Sequence, residues 1–560
     1  MADQPPDREE WIRMVRERLD REEAAAGDGL DKNPEAARSR PIVYLVNGQL
    51  PRTIDAAEQI IAQNDPEIFE FSGHPVYLAH EVPPKNHFVA YRRRRMYRYE
   101  SAHLADQWGR YVDFQKFDGR NETWRSVDCP EAIAAAYLQR KGRRKLRPLR
   151  GVISTPTLRA DGSILEEVGY DEDSALFFDP CGLKYPAVPE NPSRDDALRA
   201  LAALKEPISL FPYVPDNAEA SLERSASRSV TLSAMITGLI RASLATAPIH
   251  SSSAPVAGSG KSMLDNIVAV LATGRTCHPV AETPNTEEFE KRLATALIKG
   301  SQIIGLGNCT VRIGGGLLCQ AVTESVISIR DFGVLKDVEI ENTALILVNG
   351  NNLVFSGDVI RRVLRAALDP KCERPEQRKF DFCPLKMAAE RRPELVVAAL
   401  TILRAFHVAG RPRQTSLDPL GSFDDWSAWP RSALVWLDEP DPCQTIAAAR
   451  DTDPDLMRLR RLLGAWHDLF PPTSSATLKR VVQEARLYTK DNQDLADKRA
   501  ALLSAVEEIA REGNDINLRT LGNWIARHRG RVVDGLRFEE DGVSHHATLW
   551  RITRTGQKES

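Results

Sequence analysis

The sequence of 560 residues lacks three features that would each have assigned it to a class. No apolar run is long enough to cross a bilayer, so we expect no membrane span. The eight cysteines are scattered and form no CxxC pair, which excludes a zinc ribbon and argues against a disulfide framework. Residues 1–29 are too charged for a secretory signal and too acidic for a transit peptide, so we expect a cytoplasmic protein.

A strong excess of one charge is also missing. The chain has 75 basic and 78 acidic residues and a formal net charge of −3. This balance excludes a protein coated on all sides with nucleic acid, although it permits a local basic face.

One segment carries a recognisable chemistry, the P-loop pattern GxxxxGK[ST] at Pro255–Ser262, with Pro255 in place of the first glycine. Glycines allow the backbone to curl with its N–H groups toward phosphate oxygens, and the following helix adds its positive dipole end. The sequence therefore predicts an ATP site with Mg²⁺. The expected nucleotide-binding residues are Ala257, Gly258, Ser259, Gly260, Lys261 and Ser262, with Lys261 also catalytic and Ser262 ligating Mg²⁺ through the bound nucleotide.

Hydrolysis also needs a carboxylate at the end of a neighbouring strand. The strand predicted from SQIIGLGN ends in Gly307 and Asn308, with no acid. Glu324 or Asp331 could substitute from a nearby segment. The absence of an acid at Gly307 is the main observation against an active ATPase.

Two further catalytic roles have candidates. The predicted strand ALILVNGNN ends in Asn349, Asn351 and Asn352, and we expect Asn352 to be the polar sensor near the γ-phosphate. Arg361 and Arg362 follow and are candidates for an arginine finger, the alternative being an ordinary salt bridge within a helix.

Alternating strand and helix patterns predict an α/β fold, with a P-loop NTPase core between an N-terminal α/β region and a C-terminal winged-helix-like domain. The C-terminal pattern is helix, strand, a turn at Glu540–Gly542 and a second strand. The expected domains are a polar tail (1–40), the N-terminal region (41–205), the ATPase domain (206–412), a connector with helices (413–470) and the C-terminal domain (471–560).

Three basic segments are candidates for nucleic-acid contact. They are Arg92–Tyr99, Lys141–Gly151 and the arginines around the predicted helix LRTLGNWIARHRGRV, and their alternative is a solvated or protein-docking surface. In the last segment the candidates are Arg519, Arg527, His528, Arg529 and Arg531.

With these motifs in order, the chain resembles the AAA+-like ATPase domain of phage- and plasmid-encoded primase-helicase proteins, near the superfamily-three helicases. The resemblance covers most of residues 150–555 and includes GDVIRRVLRAALDPKCERPEQRKF at Gly357–Phe380. Its most specific parts are the P-loop and the block from the GNN at Gly350–Asn352 to the arginine pair Arg361–Arg362. It implies a homo-oligomeric ring, expected to be a hexamer, with ATP at subunit interfaces and single-stranded or forked DNA in the channel. Relatives carry an aspartate where this chain has Gly307.

Three functions therefore compete. The first is an ATP-dependent DNA-unwinding or DNA-translocating enzyme of a mobile element. The second is an ATP-binding replication accessory or assembly factor that hydrolyses little or no ATP because of Gly307. The third is a DNA-binding regulator with a vestigial P-loop, for which DNA binding would not depend on nucleotide.

Overall fold

The computed structural model describes most of the chain and divides it into two compact units. One unit contains residues 40–78 and 96–148, and the other contains 79–95 and the remainder from Leu149. The described residues are 40–81, 93–216, 225–281, 283, 285–309, 312–331, 336–447, 454–471, 474–488, 492–513, 515–544 and 547–555. Within these ranges no helix is both long and apolar enough to span a membrane.

The first unit is built on two small sheets with helices between the strands. In one sheet β5 lies between β1, which is parallel to it, and β6, which is antiparallel; the other has the order β4-β3-β2-β7. The elements are β1 Ile42–Leu45, α1 Leu50–Asn64, β2 Ile68–Phe71, β3 His74–Glu81, β4 Arg93–Arg98, α2 Ser101–Tyr111, β5 Asp113–Asp118, β6 Thr123–Val127, α3 Glu131–Leu138 and β7 Arg147–Pro148.

Apolar side chains of the three helices and of strands β1, β2 and β5 form the core of this unit. Trp108 of α2 and Tyr137 of α3 are both fully buried and meet edge to face, with ring centroids 4.9 Å apart. The Tyr137 hydroxyl donates to the buried Glu58 carboxylate over 3.0 Å, so the one charged group in this contact has a partner.

The second unit begins with short strands and continues into a larger α/β layer. Its first elements are β8 Gly151–Ile153, β9 Thr157–Leu158, β10 Ile164–Leu165, β11 Gly169–Asp171, β12 Leu176–Phe178, α4 Arg194–Lys205 and α5 Ala226–Ile240. All of α5, the helix that precedes the P-loop strand, is buried except Arg228. The Trp426 indole, also buried, donates to Thr237 of this helix.

A five-stranded parallel sheet lies at the centre of the second unit, in the order β14-β15-β18-β13-β19. The elements of this region are β13 Ile249–Ala254, α6 Lys261–Thr273, β14 Val280–Ala281, α7 Thr286–Ile298, β15 Ile303–Cys309, α8 Gly316–Thr323, the hairpin β16 Val326–Asp331 and β17 Lys336–Glu341, β18 Leu345–Asn351, a 3₁₀ turn Gly357–Arg362, β19 Val363–Ala367, a 3₁₀ turn Pro375–Gln377, α9 Pro384–Glu390 and α10 Arg392–Val408. The predicted α/β character is confirmed, and the strands predicted from SQIIGLGN and ALILVNGNN correspond to β15 and β18.

The strand β13 is unusual for a central strand because it contains three consecutive buried serines, Ser251–Ser253. Two of the three hydroxyls have partners nearby: Ser251 donates to the Leu364 carbonyl over 3.0 Å, and Ser253 accepts from the Arg365 guanidinium over 3.1 Å. These bonds join β13 to β19 in addition to the backbone ladder.

A separate apolar core supports the C-terminal part of this unit. Its elements are α11 Pro454–Leu469, β20 Ala476–Thr477, α12 Leu478–Ala485, α13 Gln493–Ala510, the short pair β21 Arg511–Glu512 and β22 Asp515–Ile516, α14 Leu518–His528, β23 Leu536–Ser544 and β24 Ala547–Arg554. The strands form an antiparallel sheet in the order β20-β24-β23, and α14 begins at Asn517, whose side chain accepts from two backbone N–H groups.

The turn predicted at Glu540–Gly542 is wrong. These residues belong to β23, and Ser544 pairs with Ala547, so the connection falls on residues 545 and 546, outside the described residues. The register shifts between Glu540 and Val543, where Gly542 has a φ of 93°. An irregularity within a strand produced the turn-like glycine signal.

We predict that Trp108→Ala lowers the free energy of unfolding by about 3–5 kcal/mol, because it removes a fully buried indole from the first unit's core. Trp124 of β6 is the matched control, since 42% of it is exposed. Trp124→Ala should change the free energy by less than about 1 kcal/mol. Urea unfolding of the full chain, followed by circular dichroism, measures both; equal effects would contradict this description of the core.

Candidate nucleotide-binding site

The predicted P-loop connects β13 to α6 and takes a shape that requires glycine at two positions. Gly258 and Gly260 have φ values of 73° and 99°, in the left-handed region that side chains disfavour. A Cβ on Gly260 would lie 2.8 Å from the ring of Phe211, and one on Gly258 would lie 3.1 Å from the backbone nitrogen of Glu376. The loop is therefore held between two neighbours that leave no space for side chains.

Lys261 is the first residue of α6 and its ammonium group points back into the loop. Its Nζ donates to the Val256 carbonyl over 3.0 Å, and the Ser259 hydroxyl donates to the same oxygen over 2.6 Å. Burial lowers the pKa of Lys261 from its ordinary value. A cation held at the start of a helix, beside a curled glycine loop, is arranged to receive an anion.

At the end of β15 the chain bulges at the two residues where the acid was expected. Asn308 has a φ of 55°, and its backbone N–H donates to Oδ1 of Asn349 over 2.9 Å. A Cβ on Gly307 would lie 2.8 Å from Cβ of Pro279. Pro279 thus occupies the space that a side chain at position 307 would need.

Asn349 lies on β18, the strand next to β15, and connects this bulge to α6, the helix that follows the loop (the loop helix). Its Oδ1 lies 3.5 Å from the Ser262 hydroxyl, and its Nδ2 donates to the carboxylate of Asp265 over 2.6 Å. Asn349 and Asp265 are both buried, whereas Ser262 is exposed. The sequence analysis missed Asp265; the available signal was an acid on the otherwise apolar side of MLDNIVAVLATG.

Burial also controls the protonation of this network. Loss of solvent raises the pKa of Asp265 from 3.8 to about 7, opposed by the hydrogen bond from Asn349. The neighbouring thiol of Cys277 has its pKa raised to about 12, first by burial and then by the charge of Asp265. The carboxyl of Asp265 therefore changes charge near neutral pH while Cys277 stays neutral.

The predicted sensor lies at the mouth of the loop. Asn351 ends β18, and Asn352 follows it in a left-handed conformation, with a φ of 47°. The backbone N–H of Asn352 donates to the carbonyl of Ala254, the last residue of β13, over 3.1 Å. Both side chains are exposed, so each is available to a ligand in the loop.

The two predicted finger arginines contact an acid of their own 3₁₀ turn. Arg361 and Arg362 both pair with Asp358, the latter at 2.7 Å. This is the salt bridge that the sequence left as the alternative to a finger. Arg361 stays half exposed, so the pairing leaves it accessible from outside the chain.

Glu324 and Asp331 are the two candidate replacements for the missing acid. Glu324 is exposed and follows the end of α8. The side chain of Asp331 lies outside the described residues. Among the described residues, Glu324 makes no side-chain hydrogen bond to the loop.

The loop fits the triphosphate that the sequence predicts, since two bare glycines, a buried lysine and a helix start converge there. For Mg²⁺ the available oxygens are the Ser262 hydroxyl and the Asn349 amide, which suit a cation that also binds phosphates and water. Within the described ranges, no group of three or more His, Cys, Asp or Glu side chains could hold a metal. A metal here would depend on the nucleotide for most of its ligands.

Three arginines of the two basic segments in residues 92–151 pair with acids of the protein itself. Arg94 pairs with Asp179 at 2.9 Å and Arg95 with Glu81 at 2.8 Å. Arg144 is buried and pairs with Glu70 at 3.1 Å. Arg92 lies outside the described residues. These pairs give the arginines a structural role.

The arginines around α14 are more accessible. Arg519, Arg527 and Arg529 are exposed, and of these Arg529 pairs with Glu540 of β23. His528 is half-buried, with its Nδ1 2.8 Å from the Trp524 carbonyl. The exposed side of α14 is therefore polar and basic, while Leu521, Trp524 and Ile525 face the core.

No protein-family model matches the sequence, and no curated protein does. Two solved structures of the apo NrS-1 C-terminal region are similar to the chain. One is 11% identical, with a TM-score of 0.31, covering 77% of this chain and 91% of that one. The other is 12% identical, with a TM-score of 0.35, covering 79% and 96% respectively. Likeness at this level carries no conclusion about function.

We predict that Gly260→Ala destabilises the protein by about 1–3 kcal/mol, because its φ is left-handed and the new methyl would meet Phe211. Gly316→Ala is the control, as it begins α8 with open space around it. That change should be neutral or stabilising by up to about 1 kcal/mol. Thermal and urea unfolding compare the two; an unaffected Gly260→Ala would contradict the close packing of the loop.

A second prediction concerns pH. Since the folded-state pKa of Asp265 is raised from 3.8 to about 7, the folded state holds more protons than the unfolded state between those values. Its contribution to stability therefore falls as pH rises from 4 to 7 and levels off above 7. Asp265→Asn should abolish this fall, so its melting temperature relative to wild type should rise over that window. A difference that stays constant from pH 5 to 7.5 would contradict the buried, neutral carboxyl.

Proposed function

We propose that this chain binds ATP with Mg²⁺ at the loop 255–262 and uses it in the replication of a mobile DNA element, as a helicase-like ATPase. The observation that carries the proposal is the loop itself. A central parallel strand leads through two left-handed glycines into a helix that begins with Lys261 and Ser262. That arrangement aims backbone N–H groups, a lysine and a helix dipole at one point.

The strand order supports the same proposal. β18 lies between β13 and β15, so the asparagines at its end lie between the loop and the strand that should provide the acid. In the family that the sequence resembles, this is the place of the sensor. Asn352 is proposed to orient the water that attacks the γ-phosphate.

Coupling to DNA would require assembly into a ring, with a finger arginine from the adjacent subunit. Arg361 is the better candidate of the two, because half of its side chain is exposed while Arg362 is largely covered. Its partner Asp358 is also half exposed, so an incoming phosphate could compete for the guanidinium. The basic outer side of α14, in a winged-helix-like module, is the proposed DNA contact.

One observation favours the second candidate, an ATP-binding accessory factor with little hydrolysis. No acid is present at the end of β15, and Pro279 fills the place where its side chain would lie. In enzymes, loss of one group that stabilises the transition state costs roughly several kcal/mol, and a carboxylate that orients the metal is such a group. ATP binding is common to both candidates, and only turnover separates them.

We predict that Lys261→Ala weakens ATP binding at least about tenfold, because the ammonium group is the single cation in the loop. Fluorescent-nucleotide titration measures this, with circular dichroism to verify folding. Ser209→Ala, an exposed hydroxyl outside the loop, is a control that should bind as wild type does.

Turnover is then measured with and without single-stranded DNA. DNA-stimulated hydrolysis that Lys261→Ala removes would support the helicase-like enzyme. Tight ATP binding with hydrolysis at background level would support the accessory factor instead. A wild-type chain that binds DNA but no nucleotide would contradict both and leave the regulator with a vestigial loop.

A further inference from the structure

We propose that Asn349 and Asp265 together replace the carboxylate that β15 lacks: Asn349 presents its amide oxygen to the divalent cation beside Ser262, and Asp265 is the positioning residue that holds the amide in that orientation. This inference rests on the proposed nucleotide site. It assigns a role to an acid that lies on the loop helix itself rather than on the neighbouring strand.

Hydrogen-bond chemistry determines which way the Asn349 amide faces. The backbone N–H of Asn308 can only donate, so the atom 2.9 Å from it must be the amide oxygen. The carboxylate of Asp265 accepts, so the atom 2.6 Å from it must be the amide nitrogen. Both contacts demand the same orientation, and the oxygen that results lies 3.5 Å from the Ser262 hydroxyl.

A carboxylate behind the amide does more than a neutral partner would. Burial alone favours the neutral form of Asp265, whereas a divalent cation bound at this position would favour the ionised form. A hydrogen bond to the ionised form is stronger than one between neutral groups, and it polarises the amide so that its oxygen carries more negative charge. The oxygen of Asn349 then faces the metal position with part of the character of the missing acid. Outer-shell carboxylates commonly orient metal ligands in this way.

The position of Pro279 explains why the acid is on the helix. A side chain at position 307 would collide with Pro279, whose Cβ would be 2.8 Å from the new Cβ. The same Cβ would lie 3.8 Å from Nδ2 of Asn349, the atom that donates to the buried carboxyl of Asp265. Glycine and proline on the strand side and an acid on the helix side are therefore complementary features of one packing arrangement.

This geometry permits an exchange of the two groups. In Asp265→Asn/Asn349→Asp, residue 349 becomes a carboxylate that accepts from Asn308 N–H and the Ser262 hydroxyl, while residue 265 donates from its new amide. Every hydrogen bond in the network keeps a donor and an acceptor. Asp265→Asn alone keeps the shape but removes the charge.

The experiment measures the affinity for a fluorescent ATP analogue in Mg²⁺ and in EDTA, for the full chain, with thermal unfolding to verify folding. The ratio of the two affinities reports the metal, independently of turnover. We expect Asp265→Asn to reduce this ratio by roughly 10- to 100-fold, the usual effect of losing an outer-shell partner. The affinity in EDTA should not change.

The double exchange should restore the ratio to at least the wild-type value. Glu58→Gln is the control, since it neutralises an equally buried acid in the other unit and should leave the ratio unchanged. A folded Asp265→Asn with the wild-type ratio, or a double exchange as weak as the single change, would overturn the inference. A wild-type chain whose nucleotide binding does not depend on Mg²⁺, or which binds none, would instead overturn the proposed function.

Discussion

The site depends above all on one side-chain amide. Asn349 touches the Ser262 hydroxyl, the Asn308 backbone and the Asp265 carboxylate, which belong to the loop helix, the bulge of β15 and the buried side of the same helix. A buried amide can serve all three because it both donates and accepts. Without it, the bulge would leave an N–H unpaired and Asp265 would be a buried acid with no partner.

The loop is constrained from outside in a similar way. Phe211 closes on Gly260, and the 3₁₀ turn at Pro375–Gln377 places Glu376 beside Gly258. Both neighbours come from parts of the chain more than 40 residues from the loop, so the loop's shape is a product of tertiary packing as well as of its glycines. Pro255 can replace the first glycine of the motif because the close contacts and the positive φ values fall on the other two glycines, Gly258 and Gly260.

Much of the fold could be predicted from sequence, and most of the network could not. Apolar periodicity located α6, β15 and β18, because long buried elements leave a strong local pattern. Local pattern failed at Gly542, where a glycine inside β23 resembled a turn. It also missed Asp265, whose significance arises from contact with a residue 84 positions away. The strand motif predicted Asn352 as the sensor. Only the packing shows that Asn349, on the same strand, is buried and belongs to the network.

Motif reasoning assumes that the acid follows the strand next to the loop, because that is where a chain most simply places one. The physical requirement is weaker: an oxygen with partial negative charge must be held rigidly at the metal position. A bulge at Asn308, an amide at Asn349 and an acid one helical turn beyond Lys261 meet that requirement with different residues. Glycine at position 307 is then necessary rather than defective, since Pro279 packs against it and leaves no room for a side chain there.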